Sequence, residues 1–289
     1  MTWLSEALGY GPDARLLIVT CDELGVTFAH NSGVYNALRA GLGTTAGLVV
    51  PGPWAREAAF RYRGEDIGVH LTLNAEYDLL RWGPITHCPS LLDGDGGFPR
   101  TLDDLWEHGD TDEVRRECRA QVERAIYWGF DISHLSTHLG ALELRPEFFD
   151  VAVELAAELR LPLRLPPVEV QRQAGFEFRR LAAEEGVLTP DHVLRAPRNA
   201  SAARFVDSLL ADLAPGVTEI VLRPAADTPD LRSVAPDWAA RVEDADLAER
   251  SDTLRSLAAR SDVDLIGYRA LRELQRALPA PAAPGPALT

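Results

Sequence analysis

The stretch Arg15-Leu-Leu-Ile-Val-Thr-Cys21, which continues into Asp22-Glu23-Leu24-Gly25, decides the fold. Its apolar residues form a short continuous run, which is typical of a strand buried on both faces of a parallel sheet. Helical periodicity follows at residues 31–41, and strand and helix patterns continue to alternate along the chain. Further strands are predicted at residues 44–50, 67–73, 132–137, 163–165, 217–222 and 263–266.

This order of elements predicts an α/β fold in which helices cover a parallel sheet. With about seven strands, we expect a closed or nearly closed β/α barrel in a single domain, residues 1–277, rather than an open doubly wound sheet. Residues 74–110 are too long for a simple connection, so we expect an insertion near the functional face. The Pro/Ala-rich tail, residues 278–289, is expected to be disordered. Other helices are predicted at residues 54–63, 111–128, 146–160, 201–213, 237–259 and 268–277.

The charge of the chain excludes several kinds of partner and chemistry. Its formal net charge is −15, from 44 acidic and 29 basic residues, and every basic residue is Arg. An acidic protein repels phosphate backbones and anionic lipids, so nucleic acids and membrane surfaces are not expected partners. The absence of Lys excludes Schiff-base chemistry and a Walker-type phosphate loop.

Several features favour a cytoplasmic location. Residues 1–15 lack the basic start and apolar run of a secretory signal, and no apolar stretch approaches the length that spans a bilayer. The three cysteines, Cys21, Cys88 and Cys118, are odd in number and far apart, as in proteins of a reducing compartment. A homodimer is compatible with the acidic surface, although nothing in the sequence requires one.

Residues that can carry chemistry stand at the ends of three predicted strands, where barrel enzymes place their active sites. Asp22 and Glu23 end the first strand, and their charges repel unless a cation or a proton lies between them. The alternative is a solvated acidic turn closed by Gly25. His70 lies in the otherwise apolar third strand, where it is either a ligand or a hydrogen-bonded core residue.

His134 and His138 lie four residues apart on a later strand. A straight strand separates such positions by ~13 Å, so one metal ion cannot easily bind both. His138, at the end of the strand, is therefore the expected ligand, and His134 is expected to support the site. A carboxylate with two imidazoles is typical of a divalent site, and Mg²⁺ or Zn²⁺ is the expected cofactor. With a second carboxylate as general base, such a site can hydrolyse an amide or an ester.

The chain resembles the YdjC-like carbohydrate deacetylases, a family that includes chitooligosaccharide deacetylase, over roughly residues 16–268. The family's Asp-Asp-Phe-Gly motif corresponds to Asp22-Glu23-Leu24-Gly25, and its Gly-x-His-Leu-Thr-Leu motif corresponds to residues 68–73. Its Thr-His-Leu-Asp-Ser-His strand aligns with residues 133–138. Further matches are Asn31, Gly33, residues 44–53, Ser90 to Asp93, Gly96 to Phe98, Glu117, Gln121, Arg164, Pro166 and Arg241.

The resemblance implies a TIM-like barrel enzyme that removes acetyl groups from N-acetylated sugars. It implies Asp22 as the general base and Glu23, His70 and His138 as the metal ligands. Arg164 is assigned to substrate binding. Trp82, in the segment 74–110, is a candidate for stacking on the sugar, and ordinary packing beneath a loop is the alternative.

Four features depart from the family pattern, and the first is that only His138 remains of several consecutive family histidines, before Leu139-Gly140. Glu23 and Ser136 replace family Asp residues, and Arg223-Pro224-Ala225 replaces His-Pro-Gly after a late strand. Arg cannot donate a proton near neutral pH, but Arg223 can stabilise an oxyanion or bind an acidic substrate group. Two alternatives to a deacetylase therefore remain: a sugar- or metal-binding protein of the same fold, and a hydrolase of another amide or ester that carries an acidic group.

Overall fold

Strand β1 (Arg15–Leu24) lies at the centre of a seven-stranded parallel sheet in the computed structural model. The structure describes residues 4–40, 42–195, 213–250 and 262–279, and residues 205 and 256 singly. Nine of the ten residues of β1 are buried, as its continuous apolar run predicts. The other strands are β2 (Thr45–Leu48), β3 (Ile67–Leu71), β4 (Ile132–Thr137), β5 (His192–Arg195), β6 (Gly216–Leu222) and β7 (Val263–Leu265).

Helices cover the sheet and connect successive strands, as expected for a parallel arrangement. Several begin with a side-chain cap: Asp110 accepts hydrogen bonds from the backbone N–H groups of Asp112 and Glu113, and Thr101 accepts one from Asp104. The helices are α1 (Leu4–Ala7), α2 (Phe28–Ala40), α3 (Ala55–Arg61), α4 (Leu102–His108), α5 (Thr111–Tyr127), α6 (Pro146–Leu159), α7 (Val168–Ala174), α8 (Phe178–Glu184), α9 (Pro229–Val234), α10 (Trp238–Arg250) and α11 (Tyr268–Ala277), with short 3₁₀ turns at Pro89–Leu91 and His138–Gly140.

The parallel sheet curls into a half-barrel, which is consistent with the expected TIM-like α/β fold, but the described strands do not close into a barrel. Its strand order is β4-β3-β2-β1-β6-β5. Strand β7 does not extend either edge of the sheet. It pairs with Arg15–Leu17 of β1, whereas β2 pairs with the later half of β1. At the β4 edge the predicted strand 163–165 is a single bridge between Leu135 and Leu163.

Most predicted elements agree with the structure to within a few residues. The segment 74–110 contains α4 and one 3₁₀ turn, and residues 166–196, for which no element was predicted, form α7, α8 and β5. The helix predicted at 201–213, the later part of the helix at 237–259 and most of the tail predicted to be disordered lie outside the described residues. No helix in the described ranges is long and apolar enough to cross a membrane.

The sheet brings the candidate residues to one end. Asp22 and Glu23 end β1, His70 lies near the end of β3, His138 follows β4 and Arg223 follows β6. Because all of these strands are parallel, their carboxyl ends meet at the same edge of the half-barrel.

Candidate active site

Asp22 is held by a buried guanidinium group. Arg164 donates to both of its carboxylate oxygens, with Nη1 3.0 Å from Oδ1 and Nη2 2.7 Å from Oδ2. Gly47 on β2 leaves room for this carboxylate, because a Cβ at Gly47 would lie 2.6 Å from Asp22 Oδ1. The bidentate pair fixes the orientation of Asp22, because two parallel N–H···O bonds hold the plane of the carboxylate.

A second carboxylate, Glu219 on β6, lies behind Arg164. Its Oε1 is 3.5 Å from Arg164 Nη1, and it accepts hydrogen bonds of 2.6 Å from the hydroxyls of Thr20 and Tyr268. Burial raises the pKa of Glu219, and the charge of Arg164 and the two hydroxyls oppose that shift. Burial alone would lower the pKa of Arg164, but Asp22 and Glu219 raise it above its usual range. Arg164 therefore remains charged although only 2% of its surface is exposed.

His70 is oriented by Ser136 on the neighbouring strand. Its Nδ1 is 2.8 Å from Ser136 Oγ, and its Nε2 is 4.0 Å from Asp22 Oδ2. Burial lowers the pKa of His70 to about 3, so the imidazole is neutral at physiological pH and can act as a metal ligand. Ser136 thus supplies the oriented hydrogen-bond partner that a carboxylate often supplies to a ligating histidine.

His138 contacts a residue that the sequence analysis missed. Its Nε2 is 2.9 Å from Oε2 of Glu76, which lies in the loop after β3. Burial alone would lower the pKa of His138, but the charge and hydrogen bond of Glu76 raise it. The rings of His70 and His138 meet edge to face, with centroids 5.3 Å apart. The two imidazoles are therefore neighbours, as their strand-end positions predict.

The carboxylate of Glu23 is paired with a buried cation. Its backbone has a positive φ of 71°, and its carboxylate accepts a short hydrogen bond from Arg241 Nη1. His30 Nε2 is 3.6 Å from the same carboxylate. Burial alone would raise the pKa of Glu23, but Arg241 and His30 lower it below its usual range. Arg241 is further held by Tyr77 Oη at 2.7 Å and by Asp237.

His134 lies deeper in the sheet than His138. Its ring stacks on Tyr268 with centroids 3.9 Å apart, and its Nδ1 is 2.9 Å from Ser133 Oγ. Gly68 makes this packing possible, since a Cβ there would lie 2.4 Å from the His134 ring. Burial lowers the pKa of His134 well below its usual value. His134 is therefore a neutral ring packed in the interior of the sheet, and its supporting role stays a prediction.

The remaining predicted site residues are divided between the cavity wall and the interior. Arg223 lines a cavity of ≈ 390 Å³, and its Nη1 lies 3.3 Å from Asp237 Oδ2. Trp82 is buried, donates from Nε1 to the carbonyl of Asn74 at 2.9 Å, and packs edge-on near His138. The other cavity-lining residues include Glu23, Glu76, Tyr77, Leu79, Leu139, Arg232, Val234, Pro236 and Arg241.

Of the three candidate metal ligands, the two histidines are placed as ligands of a divalent cation usually are, whereas Glu23 is not. His70 and His138 are buried, adjacent and oriented by hydrogen bonds, which is the usual preparation of ligating imidazoles. The Glu23 carboxylate is instead occupied by Arg241. Across the described ranges, no three His, Cys, Asp or Glu side chains are already grouped so as to hold a metal ion.

Comparison with known families and curated proteins gives a consistent result. The family model for YdjC-like proteins matches residues 16–263. A carbohydrate deacetylase of Thermus thermophilus is 36% identical over 280 residues, which cover 93% of this chain and 98% of that protein. A carbohydrate deacetylase of Geobacillus stearothermophilus is 31% identical, with 90% of this chain and 99% of that protein covered. A chitooligosaccharide deacetylase of Yersinia pestis is 29% identical over a shorter stretch, 55% of this chain and 62% of that protein.

A solved structure from Enterococcus faecalis has the same fold. That protein is described only provisionally, as a cellobiose-phosphate cleavage protein. It superposes with a TM-score of 0.76 over 89% of this chain and 99% of its own, at 24% sequence identity.

Proposed function

The chain belongs to the YdjC-like family, and on this premise we propose that it is a carbohydrate deacetylase that removes acetyl groups from N-acetylated amino sugars. The full-length similarity to the carbohydrate deacetylase of Thermus thermophilus is the main support for this proposal. The site geometry supports it independently, because an oriented carboxylate and two neutral imidazoles lie at one end of the half-barrel.

In this proposal Asp22 is the general base. Arg164 keeps the carboxylate in one orientation, and an ionised carboxylate can accept a proton from the attacking water. Arg164 thus acts behind Asp22 rather than as the substrate contact assigned from the sequence. Arg223 cannot supply a proton to the leaving nitrogen, so we assign that step to Asp22 as well, once it is protonated.

His70 and His138, with one carboxylate, are the residues that would hold a divalent cation, either Mg²⁺ or Zn²⁺. The chemistry that such a cation supplies when bound is a lowered pKa of water and a polarised acetyl carbonyl. Ser136 keeps Nε2 of His70 directed towards Asp22 by its hydrogen bond to Nδ1. The base and the ligating nitrogen therefore face the same point.

The cavity has the size of a small-ligand site, and its wall combines apolar and charged groups. Tyr77, Leu79 and Leu139 offer apolar surface to a sugar ring, while Arg223 offers hydrogen-bond donors. We propose Tyr77 as a sugar contact in addition to Trp82, which lies behind it at a ring distance of 5.9 Å. A cytoplasmic location and a homodimer are part of the same proposal.

Acetate release tests this function. The full chain is incubated with N-acetylglucosamine and its oligomers, with added Mg²⁺ or Zn²⁺ in one arm and a chelator in the other. We expect metal-dependent acetate release that the chelator abolishes. No release from any acetylated sugar, with a folded protein, would contradict the proposal.

Arg223 favours a second candidate, a hydrolase whose amide or ester substrate carries an acidic group. The guanidinium lines the cavity in the place where the family has a histidine, and Arg232 lines the same cavity. A substrate panel of matched acidic and neutral acetylated compounds separates the two candidates. The second candidate predicts a preference for acidic compounds that Arg223→Met abolishes.

A further inference from the structure

Another groove lies between α3 and α5, away from the candidate active site. It has a volume of ≈ 380 Å³ and is lined by Arg56, Ala59, Phe60, Tyr127 and Trp128. Phe60 precedes β3 and Trp128 precedes β4, so the groove lies at the edge of the sheet where these strands begin. Phe60 and Tyr127 are 80% and 83% exposed. Large aromatic side chains that are this exposed in one groove indicate an interaction surface.

The side chains of the groove are those that bind polyproline II segments. Aromatic rings form the slots into which proline rings pack in this mode of recognition. The guanidinium groups of Arg56 and Arg124 lie 5.6 and 5.9 Å from the centre of the Trp128 ring. A polyproline II backbone has no internal hydrogen bonds, so arginine N–H groups beside the rings can donate to its carbonyl oxygens. The groove therefore suits a neutral, proline-rich chain.

The protein itself contains such a segment. Residues 279–289 read Pro-Ala-Pro-Ala-Ala-Pro-Gly-Pro-Ala-Leu-Thr and include no charged residue. Pro281 and Pro284 have the Pro-x-x-Pro spacing, which places two proline rings on one side of a helix with three residues per turn. A neutral segment is not repelled by the net charge of −15 that the chain carries.

Helix α11 delivers this segment to the end of α6. Arg160, which follows α6, donates hydrogen bonds to the carbonyl oxygens of Gln275 and Leu278. Helix α6 lies beside α5, because Glu158 pairs with Arg119. The last turn of α11 is therefore fixed one helix away from α5, which carries one wall of the groove.

The length of the segment matches the remaining distance. Tyr127 lies eight residues beyond Arg119 on α5, a rise of ~12 Å. Neighbouring helices are ~8–10 Å apart. Pro284 follows Leu278 by six residues, which span ~19 Å in a polyproline II conformation. The middle of the proline-rich segment can thus reach the groove.

We propose that the groove between α3 and α5 binds residues 281–288 of the same chain as a polyproline II segment. A short tether gives an effective concentration on the order of 1 mM, so a dissociation constant of ~100 µM would leave the groove ~90% occupied. The bound segment covers the rings of Phe60, Tyr127 and Trp128, an aromatic surface that would otherwise promote association.

Contact between the segment and Trp128 is measured in the full chain with bimane, a fluorophore that a tryptophan ring quenches on contact. Thr289→Cys provides the labelling position, because the three native cysteines are buried and unreactive. Trp128→Phe removes the quencher, and Phe60→Ala removes one wall of the groove. The matched controls are Trp238→Phe on α10 and Phe28→Ala, whose side chain is 45% exposed at the start of α2.

We expect the bimane emission to be quenched in the labelled chain and to remain quenched in both controls. Trp128→Phe and Phe60→Ala should each lose the quenching. Thermal unfolding shows that each variant is folded. Emission of the labelled chain equal to that of the free labelled peptide 279–289 overturns the proposal, and so does quenching that persists in Trp128→Phe.

Two further arms separate docking of the segment from other causes of quenching. Pro281→Ala combined with Pro284→Ala changes no residue of the described structure, and it should lose the quenching because alanine lacks the fixed φ of proline. Quenching that is unchanged in this variant overturns the proposal. Quenching should also be independent of protein concentration. Quenching that disappears on dilution assigns the groove to the segment of a second copy and contradicts docking within one chain.

Discussion

Replacement of Arg164 by Met removes the cation that lies between two buried carboxylates. Asp22 and Glu219 have side-chain exposures of 6% and 0%, and each faces the Arg164 guanidinium. Removing one partner from a buried ion pair typically costs ~3–5 kcal/mol, because a buried charge loses its compensation. The unfolding entropy of a chain of 289 residues is ~0.6 kcal/mol per kelvin. We therefore expect Arg164→Met to lower Tm by ~5–8 °C.

The loss should depend on pH in a definite direction. Burial raises the pKa of Glu219, and Arg164 opposes that shift. Without Arg164 the folded-state pKa rises further above the unfolded value. A carboxyl group whose pKa is higher in the folded state stabilises that state fully when the pH is below its pKa in the unfolded chain. This stabilisation is lost as the pH rises through its pKa in the folded protein. The difference in Tm between the parent and Arg164→Met should therefore be larger at pH 8 than at pH 4.5.

Thermal unfolding followed by circular dichroism at several pH values measures both effects. The matched control is Arg119→Met, because Arg119 pairs with Glu158 at the surface, where an ion pair contributes at most ~1 kcal/mol. A loss in Arg164→Met no greater than in the control, or a loss that is the same at every pH, would refute the reasoning.

Three further predictions concern residues around the site. Gly68→Ala places a Cβ 2.4 Å from the His134 ring, so we expect the overpacked protein to be destabilised by ~1–3 kcal/mol and to have a lower Tm. An unchanged Tm would contradict this close packing of Gly68 against His134. Burial raises the pKa of Asp244 to about 6, so the folded state is stabilised by the protonated carboxyl and loses this stabilisation as the pH rises. Asp244→Asn, which cannot ionise, should therefore have a higher Tm than the parent at pH 8 but not near pH 4. Ser136→Ala removes the 2.8 Å hydrogen bond to His70, and calorimetry should show ~10–100-fold weaker Zn²⁺ binding, whereas parent-like affinity would contradict an orienting role.

The strand-end positions of the candidate site could be predicted because they depend only on local pattern. Asp22, His70 and His138 each stand at or near the end of a predicted strand, and parallel strands bring such ends together. The residues behind them could not be predicted in the same way. Glu219 is a single carboxylate in an apolar strand, and only the fold shows that it lies against Arg164.

Glu76 shows a different limit of the sequence. It lies several residues beyond β3, in a loop whose path is set by tertiary contacts such as the hydrogen bonds from Asn74 to the carbonyls of Pro99 and Thr101. The only hint of Glu76 in the sequence is that a carboxylate follows shortly after the strand that carries His70. Its distance from His138 could not be derived from spacing, because loop geometry has no fixed rise per residue.

The closure of the barrel also could not be predicted from the number of strands. Closure depends on hydrogen bonds between the two edges, and β7 pairs with the first residues of β1 beside β2 instead of extending the sheet. Within the described residues the edge beyond β4 is continued by one bridge at Leu163. Periodicity gives the elements and their parallel direction, whereas edge pairing is decided by tertiary contacts.

The role of Asp22 as general base is tested by comparing acetate release and Zn²⁺ binding in the parent, in Asp22→Asn and in the exposed control Asp112→Asn. Asp22→Asn keeps the shape of the side chain, and Glu219 remains to balance Arg164. We predict that Asp22→Asn binds Zn²⁺ within a few-fold of the parent and loses acetate release by at least ~100-fold, as expected for loss of a general base. Release at the parent rate from Asp22→Asn would contradict this role.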